Sequence, residues 1–242
     1  MIVGLLHPGE MGSALGDALV ASGHEVLWAS AGRSAATRAR ASAFRDAGSV
    51  AALAGEAELI LSVCPPHAAL EVAHSIEGFP GVYVDANAIS PATAYEVAAV
   101  HPRFVDGGIV GSPPRAPGTT RLYLSGDEAA EVAALFAGSV VDTRIVPDAS
   151  ALKMTYAAWS KGTAALLLAI RHVARHYGVE EELLAEWGES QPDLPERLAR
   201  AERSAATKGW RWVGEMEEIA DTFAGAAQPD GFHRAAAEVY RQ

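Results

Sequence analysis

The chain has 242 residues, 50% of them hydrophobic, 20% charged and 7% aromatic, with a formal net charge of −11. That length suits one large or two modest domains and buries a core without a disulfide or structural metal. The acidic balance argues against a nucleic-acid binder, which would show a basic face, and the lone cysteine, Cys64, excludes an internal disulfide and suits a reducing compartment.

The opening MIVGLLHPGEMG has no basic segment before its apolar run, unlike a signal peptide. No apolar stretch reaches the roughly 18 residues of a membrane span. The expectation is a cytoplasmic globular protein with no membrane partner.

The first half alternates two periods. Ile2–Leu6 reads as a strand, Met11–Ala21 as a helix with Leu15, Leu19 and Val20 at helical spacing, and Glu25–Ala29 as a second strand. Ser34–Ala47 reads as helical. Glu58–Val63 is a buried strand stopped by Pro65 and Pro66, followed by a helix over His67–Ile76, a strand over Val82–Asp85 and a helix over Pro91–Val100. Strands follow at Phe104–Ile109 and Arg121–Leu124, a helix at Asp127–Phe136 and a last strand at Thr143–Val146. Strands alternating with helices predict βαβ units and a mainly parallel sheet.

After Pro147 only helical patterns remain: Ser150–Tyr177, Glu180–Trp187, Pro192–Ala206, Trp210–Ala224 and Gly231–Tyr240. The expected fold is α/β, with a Rossmann-type N-terminal domain over residues 1–147 and an all-α C-terminal domain over 148–242.

The first strand runs into His7, Pro8, Gly9, Glu10, Met11 and Gly12, which open a helix. This is the strand–turn–helix setting of a dinucleotide fingerprint, in which glycines let a pyrophosphate approach the helix N-terminus. His7 stands where that fingerprint has its first glycine. The second strand ends in Trp28–Ser34 without the carboxylate an NAD enzyme uses for its ribose. Arg33, flanked by Ser30 and Ser34, offers a charge-assisted contact to a 2′-phosphate, so NADP is favoured over NAD.

The segments GLLHPGEMGSALGDALVASGHEV, SVCPPHAALEVA, VDANAISPATA, FVDGGIVGSPPRAPGTTRLYLSG and SALKMTYAAWSKGTAALLLA together resemble the β-hydroxyacid dehydrogenase superfamily, which includes 6-phosphogluconate and 3-hydroxyisobutyrate dehydrogenases. The likeness is greatest to a bacterial branch with a 6-phosphogluconate dehydrogenase-like C-terminal domain. It implies hydride transfer to or from NADP(H), with Cys64 and Pro65 beside the nicotinamide and Asn87 in a further cofactor loop. Gly111 and Ser112 fall on the family's substrate loop, and Lys153 on its acid/base lysine. It also implies pairing of two copies through the helical domain. Where the family often has asparagine after its lysine, this chain has Tyr156 and Ala157. The DGGIVGSPP stretch also resembles imine reductases, which generally lack the lysine.

On one helix Lys153 lies near Tyr156, Ser160 and Lys161, so Tyr156 is a candidate partner of the lysine and Lys161 a source of nearby positive charge. Arg115 is a candidate anion contact in the loop after Ser112. His172 and His176 lack the partners of a metal motif, and no metal set is visible. Two functions stay open: an NADP-dependent dehydrogenase or reductase, imine reduction included, and a non-catalytic NADP-binding sensor.

Overall fold

The computed structural model describes residues 1–241 and resolves into two compact units, Met1–Lys153 and Met154–Gln242. The first unit holds an eight-stranded sheet. In chain order its elements are β1 (Ile2–Leu6), α1 (Glu10–Ala21), β2 (Glu25–Trp28), α2 (Ala35–Arg40), β3 (Arg45–Asp46), α3 (Val50–Glu56), β4 (Leu59–Ser62) and α4 (Ala69–His74). Then come β5 (Val82–Asp85), α5 (Pro91–Val100), β6 (Phe104–Gly111), β7 (Thr120–Ser125), α6 (Ala129–Leu135) and β8 (Val141–Ile145). The strand order is β3-β2-β1-β4-β5-β6-β7-β8, parallel except where β6 meets β7.

The apolar runs of β1, β4 and β5 are buried from end to end apart from Ile2, as a sheet covered on both faces requires. One core layer joins Leu15 and Leu19 of α1 to Val3, Leu5, Leu61 and Val84; the other joins Leu53, Val72 and Val97 to Ile60 and Tyr83. The order reverses between β1 and β4, so the first strand's carboxyl end is the topological switch point, where open α/β sheets bind ligands.

Two readings of the sequence are corrected. The helix expected over Ser34–Ala47 is only α2, followed by the two-residue strand β3 and then the unforeseen α3. Ala41 and Phe44 are buried, so the chain turns inward where a helix would have carried them along an exposed face. The two helices expected at Pro192–Ala206 and Trp210–Ala224 are one continuous helix. Gly209, which falls between the two, is buried within it and packs near Tyr240.

The second unit is helical, made of α7 from Met154 onward (the whole helix is Ala149–Tyr177), α8 (Glu180–Ser190), α9 (Leu194–Gly225) and α10 (Gly231–Arg241). Met216, Ile219 and Ala220 of α9 are fully buried, and Ala236 and Ala237 of α10 nearly so. Lys161 of α7 bonds Glu215 of α9 at 2.7 Å, with both side chains nearly buried, and Tyr240 of α10 donates to the Lys161 carbonyl at 2.7 Å. No described helix is long and apolar enough to cross a membrane.

Candidate functional site

β1, β2, β4, β5 and β6 run parallel, so the segments following them share one edge of the sheet. That edge collects His7–Gly12, Ser30–Ser34, Cys64–Pro65, Asn87 and the start of the loop beyond Gly111, all within the first unit.

The turn after β1 begins with His7 in the left-handed region, at φ 63°. This is the position of the fingerprint's first glycine, and the backbone keeps the glycine-like conformation at a steric cost to the histidine. The His7 carbonyl accepts from the Gly9 amide at 2.7 Å, and a Cβ on Gly12 would stand 2.7 Å from that same oxygen. Gly12 is therefore required by close packing. Gly9 is not: a Cβ there would meet only the His7 oxygen, at 4.0 Å, so the protein's own packing leaves the space over Gly9 open.

Helix α1 starts at Gly9 with no side-chain cap, whereas Ser34, Ser49 and Ser90 cap α2, α3 and α5. The free amides of α1 thus point out at the switch point, the arrangement that receives a phosphate. Burial, with the Arg33 charge adding to it, pushes the His7 imidazole down to about 4, so it is neutral at pH 7. Its Nδ1 is buried and has no hydrogen-bond partner among the described residues.

At the end of β2, Arg33 lies close enough to act on both His7 and Cys64, and it has no carboxylate partner among the described residues. The two serines beside it have structural duties. Ser34 accepts from the Thr37 amide as the cap of α2. Ser30 donates its amide to Asp46 Oδ1 at 3.2 Å, and its carbonyl accepts from Arg38 at 2.9 Å. The carboxylate missing from the end of β2 is thus supplied by β3, but Asp46 also accepts from the Gly48 amide at 2.7 Å and serves as a latch between the two segments.

Beyond β4 and β5 a buried network joins two loops. The Cys64 amide donates to Asn87 Oδ1, while Asn87 Nδ2 donates to Asp85 Oδ2 at 2.8 Å and to Ser62 Oγ at 3.3 Å. Both ends of the Asn87 amide are occupied, so its side chain positions the loop carrying Cys64 and Pro65. Burial, then the Asp85 charge, push the Cys64 thiol up to about 12, which makes it inert as a nucleophile at neutral pH.

The DGG segment of β6 seats the candidate lysine. Asp106 accepts from the Ser150 amide at 2.7 Å, the Ser150 hydroxyl at 2.6 Å and the Ser125 hydroxyl at 3.1 Å, and Ser125 Oγ accepts from the Ala149 amide at 3.0 Å. A buried carboxylate and a serine therefore cap the first turn of α7. Burial raises the Asp106 carboxyl above its ordinary range in spite of those donors. A Cβ at Gly108 would stand 2.9 Å from Lys153 Cβ, so glycine lets the helix lie against the strand. Ser150 is tied to Asp106 and Lys153 lies over Gly108, two residues nearer the carboxyl end of β6. The first turn of α7 therefore climbs toward the edge that holds the cradle.

Gly111, at φ 118°, is required: a Cβ would lie 2.0 Å from the Thr119 carbonyl oxygen. The Ser112 carbonyl accepts from the Thr120 hydroxyl, while Ser112 and Arg115 are exposed. Tyr156 belongs to the second unit, is 48% exposed and lines a groove there. Lys161, read as a source of positive charge, is instead neutralised by Glu215. Sequence reasoning missed Asp85, Asp106 and Asp46, whose partners lie at other positions in the chain. No cluster of three or more metal-binding side chains occurs among the described residues.

The sheet order, the switch point and the uncapped glycine-rich turn define a Rossmann-type dinucleotide domain. Residues 2–88 match the family model for NADP oxidoreductase, coenzyme F420-dependent, and residues 174–242 match a domain of unknown function, DUF1932. An uncharacterized 28.5 kDa protein of Methanothermus fervidus is 32% identical over 138 residues, 54% of either chain, so the match spans about half the length of that curated relative. A conserved protein of unknown function, described as structurally similar to 3-hydroxyacid dehydrogenases, is 28% identical with a TM-score of 0.71, over 100% of this chain and 97% of that one. The 3-hydroxyisobutyrate dehydrogenase of Salmonella typhimurium, 16% identical, shares the fold at a TM-score of 0.72 over 100% of this chain and 93% of that one. The whole chain thus shares the fold of the 3-hydroxyacid dehydrogenases, and residues 2–88 resemble an NADP oxidoreductase domain.

Proposed function

We propose that the protein transfers hydride between NADP(H) and a small hydroxyacid, alcohol or carbonyl compound, with Lys153 as general acid/base. The carrying observation is the seating of Lys153: the Asp106 cap and the close approach at Gly108 fix its helix on the strand that leads to the cradle edge.

The residues present fit the dinucleotide. The open space over Gly9 and the uncapped amides of α1 suit its pyrophosphate, and Arg33 suits the 2′-phosphate. When bound, the nicotinamide supplies or accepts the hydride. The Cys64–Pro65 segment, held by Asn87, would flank it, and the turn at Gly111 and Ser112 would hold the substrate. Lys153 would take the hydroxyl proton in oxidation and return it in reduction, as a positioned amine can. We assign cofactor binding to residues 1–147, and pairing into a homodimer and the rest of substrate binding, beyond the Gly111–Ser112 turn, to residues 148–242.

The test is turnover of the reduced cofactor's absorbance with a panel of hydroxyacids, aldehydes, ketones and imines, repeated with Lys153→Ala. The expected loss is about 10²–10⁴-fold in kcat with NADPH affinity retained. Undiminished turnover by the variant would end the role of Lys153. Tight NADPH binding without turnover of any compound would favour a sensor.

A further inference from the structure

His7 combines two costs in one residue. Its backbone is held at φ 63°, where a glycine would be free of strain. Its Nδ1 is buried with no hydrogen-bond partner among the described residues. Ala227 is the other described non-glycine residue with positive φ, and it has no polar side chain. His24, His101 and His233 also bury an unpartnered Nδ1, but on ordinary backbone. Among the described residues His7 alone carries both costs, and it does so at the switch point of the sheet. Packing does not ask for the ring, which belongs to neither core layer.

The ring offers one outward nitrogen. His7 is half-buried and Nδ1 is enclosed, which leaves Nε2 facing out. The imidazole is neutral at pH 7 and carries one hydrogen. A buried lone pair without a donor is better tolerated than a buried N–H without an acceptor, so the hydrogen sits on Nε2. An outward N–H suits a ligand made of acceptors. Pro8, next in the turn, has no N–H of its own to give. Arg33, at the end of β2, is near enough for its charge to act on the His7 ring.

We infer that His7 is a specificity-determining residue for the cofactor, its Nε2–H donating to the same 2′-phosphate that Arg33 receives. The inference rests on the proposed NADP(H) binding and deepens it by naming a second ligand of that phosphate. It gives a reason for a strained histidine where glycine would fold better.

The test is titration of the full chain with NADPH, NADH and adenosine 2′,5′-bisphosphate, which carries the 2′-phosphate without a nicotinamide. His7→Gly should weaken NADPH and the bisphosphate about tenfold and NADH less than twofold, the loss of one hydrogen bond to a charged group. His7→Gln, whose amide reaches about as far as Nε2, should recover part of the loss. A purely structural histidine predicts the opposite, because glycine relieves the φ and restores the fingerprint. NADPH binding by the glycine variant at parental strength therefore overturns the inference. Equal weakening of NADPH and NADH does so too, since the lost contact would then belong to the part they share, as does a glutamine variant that binds no tighter than the glycine one. A parent chain that binds none of the three probes brings down the NADP(H) reading itself, and the inference with it.

Discussion

Gly108 and Lys153 are in as close contact as their backbones allow. A Cβ on the glycine would lie 2.9 Å from that of the lysine and 2.7 Å from the Ala149 carbonyl oxygen. The oxygen belongs to the helix backbone, so it cannot swing aside as a flexible side chain would. Gly108→Ala should therefore push α7 off β6, costing about 1–3 kcal/mol as overpacking does. On the proposed reading kcat falls more than substrate KM rises. Denaturant unfolding and steady-state kinetics of the variant check both. A variant as stable and as active as the parent would show that the approach has no consequence.

Asp106 acts on the same helix from its end. Asp106→Ala removes the acceptor of three hydrogen bonds and leaves the Ser150 amide and hydroxyl and the Ser125 hydroxyl to find others. The expected loss is about 2–3 kcal/mol, a lost cap plus unmet buried donors. Asp106→Asn, which keeps one acceptor oxygen, should recover part of that loss. Equal stability of the two variants would assign the effect to volume, not to the cap.

The alternation of strands and helices, the switch to all-helical pattern after Pro147 and the glycine-rich turn were legible because each is a local pattern. The short β3 and α3 were not. Arg45 and Asp46 make a strand only by pairing with Leu27 and Trp28, and nothing within the segment announces that partner. Likewise the helix read as two, Pro192–Ala206 and Trp210–Ala224, runs on through Gly209, which packs near Tyr240 in spite of a propensity cost of about 1 kcal/mol. Within the candidate site, His7, Gly12 and Arg33 stand out by position in the chain, and Lys153 by the family resemblance. Asp106 does not, since its partner Ser150 is 44 residues away.

His7 predicts a pH dependence. Its folded value of about 4 lies below the ordinary 6.5, so the unfolded chain binds a proton that the folded chain refuses. Stability is full above pH 6.5, declines as pH falls toward 4 and declines no further from this cause below that. Because the ring is partly exposed, screening limits the loss to about 2 kcal/mol. His7→Gly should flatten this part of the profile and, by relieving the left-handed φ, add about 1 kcal/mol at pH 7.5. Urea unfolding of both proteins at pH 5 and 7.5 separates the two effects. An unchanged difference between the two pH values would remove His7 as its cause.

On the proposed reading Arg33 carries the choice of cofactor. If it receives the 2′-phosphate, Arg33→Ala should weaken NADPH about tenfold and NADH less than twofold, the first figure being the loss of one charge-assisted contact. Titration by cofactor fluorescence measures both. Equal weakening would place Arg33 on the pyrophosphate common to the two.

The Lys161–Glu215 pair tests what holds the helical unit. The two side chains are only 15% and 11% exposed, and the ammonium lies 5.9 Å from the centre of the Trp212 ring. Lys161→Met takes the ammonium away from a nearly buried carboxylate, so it should cost about 3–5 kcal/mol. Adding Glu215→Leu to that variant should restore most of the loss, because two apolar side chains fill the same space with no charge left to solvate. Unfolding monitored by Trp212 fluorescence reads the comparison. If the double variant is no more stable than the single one, the pair acts through its geometry, holding Trp212 and the Lys161 carbonyl that Tyr240 bonds, and not through charge alone.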